Sequence, residues 1–489
     1  DEDSINYFPH LTLQPADGII VSAQSDAEFE NFQFNIGFNF GKESVYSPSS
    51  YNNAGDFEGG IGFYSSSQKQ GSIFSKKAKN TKKFIRMKLE GLFIEENPIT
   101  PPFNFDFNFS PFARKQPKGI QLRTWIDEIN EFTDDPEIDG FIIDMGRVRA
   151  GFAKRGEIYS ALKRFKDAGK TIIVYADKGI SNADYHLISM ADEIYLNEFT
   201  SVELRGLRIE ISFFRGLLDT LLIVPEVFRV NFDGRSYKTA ADQFLRKDMS
   251  DEMRENYGDL LDDFFDYFID GISEGRGWNR VHTQDIIDNG PYYLHQHAIA
   301  AQLADSIMYP DQFDDYINSL NDEKVEIVKW KNIDRSEDYV HKWVPKNKEK
   351  IAIIYAVGGI VSGKSNPGPA GSSIMGDETI VEAIQSARED KDIKAIVLRI
   401  DSGGGSALAS DQMWREVLKT TEEDSSNVKP FIASMSDFAT SGGYYIACQA
   451  DTIIASPVTI TASIGVFWWR PNFSQLGNRF GINTEWIIK

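Results

Sequence analysis

From Lys83 onward, short apolar runs alternate with stretches whose apolar residues recur at helical spacing. Phe84–Leu89, Ile138–Asp144 and Thr171–Ala176 read as strands, and Ile120–Phe132 reads as a helix. Ile158, Ala161, Leu162 and Phe165 mark a second helix between two of those strands. Strands alternating with helices predict parallel βαβ units. A charged stretch with Pro345 follows, and then the pattern restarts. Strand Lys350–Tyr355, glycine-rich loop Gly358–Gly376, helix Glu378–Ala387 and strand Ile393–Ile400 come in turn. Met249–Gly275 is an acidic helical stretch with a Leu260, Leu261, Phe264, Phe265 and Phe268 stripe. Such a stripe reads as core or subunit packing, not as a cofactor site.

The first 80 residues differ in texture, being rich in Ser, Asn, Gly and Phe. Phe32, Phe34, Ile36, Phe38 and Phe40 alternate with polar or small residues, the period of a half-buried strand. Phe103, Phe105, Phe107 and Phe109 do the same after Pro101-Pro102. Ordinary hairpins explain the period. The alternative is an apolar surface for a membrane or a partner chain, and Phe103–Phe109 is expected to face the membrane or an oligomer's rim. The organisation expected is therefore a β-rich segment (1–80), a first α/β repeat (81–320), a connection (321–349) and a second repeat (350–489).

Charge and cysteine content narrow the function classes. The chain has 73 acidic and 52 basic residues and a net charge of −21, which excludes the basic stripe of a nucleic-acid binder. Cys448 is the only cysteine, so there is no internal disulfide framework and no thiolate metal cluster. No apolar run approaches the ~18 residues of a spanning helix. The chain starts at Asp1 without a signal peptide, so a leader or anchor is expected to be missing.

The two α/β stretches are copies of one pattern. Ala191-Asp-Glu-Ile-Tyr195 matches Ala450-Asp-Thr-Ile-Ile454, an offset of 259 residues (450 less 191). At that offset Ser441, in Ala439-Thr-Ser-Gly-Gly443, falls on Asn182. Beyond the earlier copy lies Gly234-Arg-Ser-Tyr-Lys238, a position the later copy does not reach before Lys489. One copy offers a serine and the other a lysine.

Glycines beside a serine let a backbone approach closely, and a helix start beyond it stabilises negative charge. That suits acyl transfer, in which an oxyanion develops as the hydroxyl attacks. Asp401-Ser-Gly-Gly-Gly405 follows an apolar strand but lacks nucleotide-loop spacing. It reads as an oxyanion loop across from Ser441, with Gly404 supplying an N–H. The histidines His10, His186, His282, His295, His297 and His341 all precede Ser441, and none sits in a glycine-framed motif. His295 and His297 are two apart in a helix-like stretch and make a poor metal pair. A lysine serves as base when burial lowers its pKa, and Lys238 is the candidate from repeat logic.

These residues carry a resemblance. Val227-Phe-Arg-Val230, Gly234–Ala241, Phe244–Ser250, Lys394–Ser406, Ala439–Tyr445 and Thr461–Val466 resemble the signal peptide peptidase A (protease IV) family in its long two-repeat bacterial form. The resemblance covers most of residues 83–489 and none of 1–80. It implies two tandem domains of the crotonase and Clp-protease type, and a serine peptidase with a shared serine–lysine dyad. Ser441 matches the nucleophile, Lys238 the base, and Ser463 a serine that orients the lysine. Gly404 and Gly442 match the oxyanion donors, and neither a cofactor nor a metal is implied. The family forms a bowl of four chains on the outer side of the bacterial cytoplasmic membrane and degrades remnant signal peptides. Gly403 stands where the family usually has proline, which is expected to loosen the loop. The end of the second domain is expected to be missing. Two other readings stay open, a crotonase-like acyl-CoA hydratase or isomerase and a non-catalytic envelope scaffold.

Overall fold

The computed structural model describes residues 9–489 apart from 17, 27, 41–42, 66–72, 74–81, 97–118, 230, 232–233, 323–324, 334–348, 369–372, 424–426, 486 and 488–489. The chain divides into two compact units. One holds residues 1–82 with 324–346, and the other 83–323 with 347–489.

The first unit carries an antiparallel sheet of six strands: β1 (His10–Ala16), β2 (Ile19–Ser25), β3 (Asn31–Asn39), β4 (Glu43–Asn52), β5 (Phe57–Gly59) and β6 (Gly62–Ser65). Period-two alternation in Phe32–Phe40 does form a strand, β3, but with the opposite phase to a core strand. Phe34, Ile36 and Phe38 are exposed, while Gly37 and Asn39 are buried. Alternation fixes which residues share a face, and says nothing of which face is covered. The Phe103–Phe109 segment lies outside the described residues.

The second unit holds both α/β repeats. In the earlier repeat five strands run parallel in the order β12–β10–β9–β8–β7. These are β7 (Lys82–Ile94), β8 (Gly140–Arg149), β9 (Thr171–Ala176), β10 (Glu193–Leu196) and β12 (Ser306–Ile307). Helices α1 (Leu122–Asp134), α2 (Phe152–Asp167) and α3 (Asn182–Ile188) lie between them in sequence. The first four residues of β8 and nearly all of β9 are buried, as continuous apolar runs in a parallel sheet require.

The later repeat is also parallel, in the order β13–β14–β15–β16, with β17 continuing alongside β15. Its strands are β13 (Lys350–Val357), β14 (Ile393–Ser402), β15 (Phe431–Thr440), β16 (Thr452–Ile454) and β17 (Ile460–Ala462). Helices α5 (Asp377–Glu389) and α6 (Ala407–Leu418) connect its strands, and α7 (Gly442–Ala447) follows β15. Ile396, Leu398, Ile400, Phe431, Ala433 and Met435 fill its core.

Among the contacts that join the repeats, two are made by whole elements. The long helix α4 (Asp251–Arg276) places Phe264 against Ala153 and Val458, so its aromatic stripe is core packing. Strand β11 (Val224–Arg229), from the earlier repeat, pairs antiparallel with β18 (Phe467–Asn472), from the later one. Parallel sheets covered by helices, repeated in tandem, make this an α/β fold with an added β-rich N-terminal segment.

Candidate active site

β15 ends at Thr440, and the chain turns directly into α7. Ser441 sits at that junction with φ 54° and ψ −116°, a left-handed conformation that costs a serine energy. Its N–H is tied to the Ala462 carbonyl at 2.8 Å, which holds the turn open. Gly442 and Gly443 are needed there for space. A Cβ on Gly442 would stand 2.5 Å from Ser410 Oγ, and one on Gly443 2.7 Å from the Ser402 carbonyl.

Lys238 reaches this turn from the other repeat. It follows β11 and caps a short 3₁₀ turn, Thr239–Ala241. Its Nζ lies 3.0 Å from Ser441 Oγ, 2.5 Å from the Ser463 carbonyl and 3.1 Å from Ser463 Oγ. The residue is buried, and burial alone pushes its pKa down from the ordinary lysine value. Ser463 takes part through an unusual backbone, since Ala462 and Ser463 are both left-handed (φ 61° and 48°). The structure thus brings Ser441, Lys238 and Ser463 together at hydrogen-bond distance.

The glycine loop after β14 also reaches the site. The Gly404 N–H is turned inward, donating to Ser402 Oγ at 3.1 Å, and the Ser402 hydroxyl donates to the Gly358 carbonyl at 2.6 Å. Gly405 is the loop residue that lines the pocket, together with Gly442. Gly403 has open space where a Cβ would stand.

The cavity beside Ser441 has a volume of about 270 Å³. Ala407, Tyr444, Ile464, Val466 and Phe467 give it apolar walls, and no carboxylate is among its lining residues. Phe467 is the first residue of β18, so the pairing with β11 builds the pocket wall and delivers the lysine arm together.

Three contributors carried no signal of their own in sequence. Arg229 donates to the Lys238 carbonyl at 3.0 Å and to Asp242 Oδ1 at 2.6 Å, fixing the lysine's backbone. Asp242 is fully buried and also accepts from Ser250 Oγ at 2.6 Å. Ser402 braces the glycine loop. Asn182, the counterpart of Ser441, accepts from the Arg205 N–H at 2.7 Å. Of the histidines, His186 is buried against Tyr159 and Tyr267, and desolvation holds its pKa down at about 4. His341 lies outside the described residues. Among the described residues there is no cluster of three metal-ligating side chains, and no helix is long and apolar enough to cross a membrane.

Tandem α/β repeats that bring a buried lysine to a half-buried serine define a class, and comparison with known proteins narrows it. A model of peptidase family S49 matches residues 164–325 and 423–489. Protease 4 of Haemophilus influenzae is 34% identical over 390 residues, covering 76% of this chain and 60% of that protein. The chloroplastic serine protease SPPA of Arabidopsis thaliana is 35% identical over 380 residues, covering 76% and 54%. A putative signal peptide peptidase SppA of Enterococcus faecium is 31% identical over 105 residues, 22% of this chain and 29% of that one. Over the matched residues the chain is similar to peptidase family S49. It spans 60% and 54% of the first two relatives' lengths. Among solved structures, an enoyl-CoA hydratase/isomerase family protein from Silicibacter pomeroyi overlays with a TM-score of 0.25 and 12% identity, over 41% of this chain and 69% of that one.

Proposed function

We propose that the protein is a serine endopeptidase in which Ser441 is the nucleophile and Lys238 the general base. The observation that carries this is the 3.0 Å approach of Lys238 Nζ, on a buried lysine whose pKa desolvation lowers, to Ser441 Oγ. A neutral amine has two N–H donors and one lone pair. Ser463 offers two acceptors, its carbonyl and its hydroxyl oxygen, which leaves the lone pair for the Ser441 proton. Ser463 is thereby a residue that orients the base.

In the reaction, Ser441 Oγ attacks the scissile carbonyl as its proton passes to Nζ. The oxyanion is met by the N–H groups of Gly442 and Gly405. Gly404, expected from spacing to be the second donor, braces the loop through Ser402 instead. The Lys238 ammonium then protonates the leaving amine. Water, activated by the same lysine, releases the acyl group. No cofactor enters these steps.

The apolar pocket favours an uncharged side chain beside the cleaved bond, and the E. faecium relative is named for signal peptides. Remnant signal peptides or similar membrane-associated peptides are the proposed substrates. A homotetramer on the outer face of a bacterial cytoplasmic membrane is the proposed setting. Exposed Trp468, Phe473, Phe480 and Ile482 support an assembly surface. A hydratase of the acyl-CoA class would need paired carboxylates, and the pocket's lining residues supply none. Labelling by a fluorophosphonate probe tests the reading, with Ser441→Ala as control. Wild-type protein that takes up no label would reject it, and would favour a non-catalytic scaffold.

A further inference from the structure

One buried cation in the second unit lies outside the chemistry just described. Lys154, on α2 of the earlier repeat, is 6% exposed. Its Nζ lies 2.5 Å from Asp401 Oδ2 and 2.6 Å from Asp437 Oδ2, both aspartates belonging to the later repeat. Asp437 also accepts from the N–H of Gly151 at 3.1 Å and of Lys154 at 3.0 Å. It therefore caps the N-terminus of α2 from the other repeat. Gly151 is needed for that approach, since a Cβ there would meet Asp437 Cγ at 2.2 Å. Burial works against the lysine's charge, but the two carboxylates outweigh it and raise its pKa.

The two aspartates occupy telling places. Asp401 ends the apolar run of β14, immediately before Ser402 and the glycine loop. Asp437 lies four residues before Ser441 on β15. The ladder between these strands breaks at this level. Ile400 pairs with Met435 but Ser402 pairs with Ala439, so Asp401 alone faces Ser436, Asp437 and Phe438. The strands are held here by a 3.2 Å bond from the Phe438 N–H to Asp401 Oδ1, by the Lys154 bridge, and by Glu95, which accepts from Arg399 just before the bulge and from the Ser436 hydroxyl.

We propose that Lys154 is a positioning residue. By bridging Asp401 and Asp437 across the bulge, it sets the glycine loop against the Ser441 turn, so that the site is complete only when the earlier repeat is docked. The inference rests on the serine–lysine reading for its catalytic consequence. Its structural part stands alone, because it concerns which segments the bridge holds.

Hydrogen–deuterium exchange on the full chain tests that part. In Lys154→Met, amides in 402–406 and 437–443 are expected to exchange at least tenfold faster, with 393–399 unchanged. Fluorophosphonate labelling of Ser441 should fall at least tenfold. Lys154→Arg, which keeps the charge, should bring both back to within threefold of wild type. If Lys154→Met does not fold, the triple change Lys154→Met/Asp401→Asn/Asp437→Asn leaves no buried charge unpaired, and should fold with the same local loosening. Unchanged exchange in both segments would overturn the proposal, and so would loosening spread evenly over the later repeat. Wild-type protein that resists the label rejects the peptidase reading instead, and the exchange data still decide this one.

Discussion

Lys238 Nζ stands 3.0 Å from Ser441 Oγ, although 203 positions separate the two residues in the chain. The approach is made by backbone. β11 pairs with β18 over six residues, and Arg229, the last residue of β11, grips the Lys238 carbonyl. The serine end is fixed by Ala462, whose carbonyl holds the Ser441 N–H. The lysine arm is thus anchored on both repeats and the serine on its own before the side chains meet. Such pre-set geometry is what a base–nucleophile pair requires.

Replacing the nucleophile should silence the enzyme without unfolding it. Ser441→Ala is expected to abolish peptide cleavage and probe labelling with little change in melting temperature, since alanine keeps the same Cβ in the strained turn. Asn182→Ala should retain activity, because Asn182 bonds the Arg205 N–H in the other repeat. Cleavage assays with melting curves check both. Activity lost in Asn182→Ala but kept in Ser441→Ala would reverse the assignment.

Lys238 links activity and stability to pH. Its folded pKa lies below the unfolded value of about 10.4. Activity should rise with pH through that lowered value, and Lys238→Arg should be inactive because guanidinium stays protonated. For stability, the unfolded chain binds the extra proton between the two values, so wild-type stability rises with pH across that window. Lys238→Met has no such proton to lose. It should be more stable than wild type at neutral pH, with the advantage shrinking as pH approaches 10.4. Denaturant titrations at several pH values measure this. An advantage that grows with pH would show that Lys238 is charged in the folded state throughout.

The serine and the lysine were legible against the repeat. Asn182 stands where Ser441 should recur, and Lys238 closes the Gly234-Arg-Ser-Tyr-Lys238 motif just beyond the earlier copy. Strands were legible where apolar runs are continuous, so Thr171–Ala176 agrees residue for residue with β9. What stayed hidden depends on non-local pairing. Arg229, Asp242 and Lys154 are ordinary charged residues in their local sequence, and act only through partners across the fold. In β3 the period was legible, but the covered face was not.

Adjacent glycines in the loop should respond oppositely. Gly403 has open space at its Cβ position and no left-handed φ, so Gly403→Ala should be neutral or stabilise by about 0.4–1 kcal/mol through the unfolded chain. At Gly405 the φ is 159° and a Cβ would stand 2.2 Å from the Ile360 carbonyl oxygen. Gly405→Ala must push the loop away from Gly442, and kcat should fall by about 10²–10³, the cost of losing one oxyanion donor. Steady-state kinetics and denaturation of the two variants decide. Equal effects at both positions would mean that the loop does not meet the oxyanion through Gly405.

The sheet of the first unit makes the last prediction. Its strand pairing places Leu13, Val21 and Ile36 in one row, and Ile19, Phe38, Val45 and Phe63 in another row on the same face. Gln24, Gln33 and Ser50 lie on the opposite face. The apolar face is substantially open, with Phe34 51%, Phe38 40% and Phe63 80% exposed. A ring so exposed forfeits only part of the about 2 kcal/mol that full burial brings. Phe34→Ser/Phe38→Ser should therefore shift the unfolding midpoint little, whereas Phe268→Ala, at a site 1% exposed, should cost about 3–5 kcal/mol. A contiguous apolar face also attracts other apolar surfaces. The double variant should bind liposomes and hydrophobic dyes more weakly than wild type. If its stability collapsed while both kinds of binding stayed the same, the face would be ordinary core.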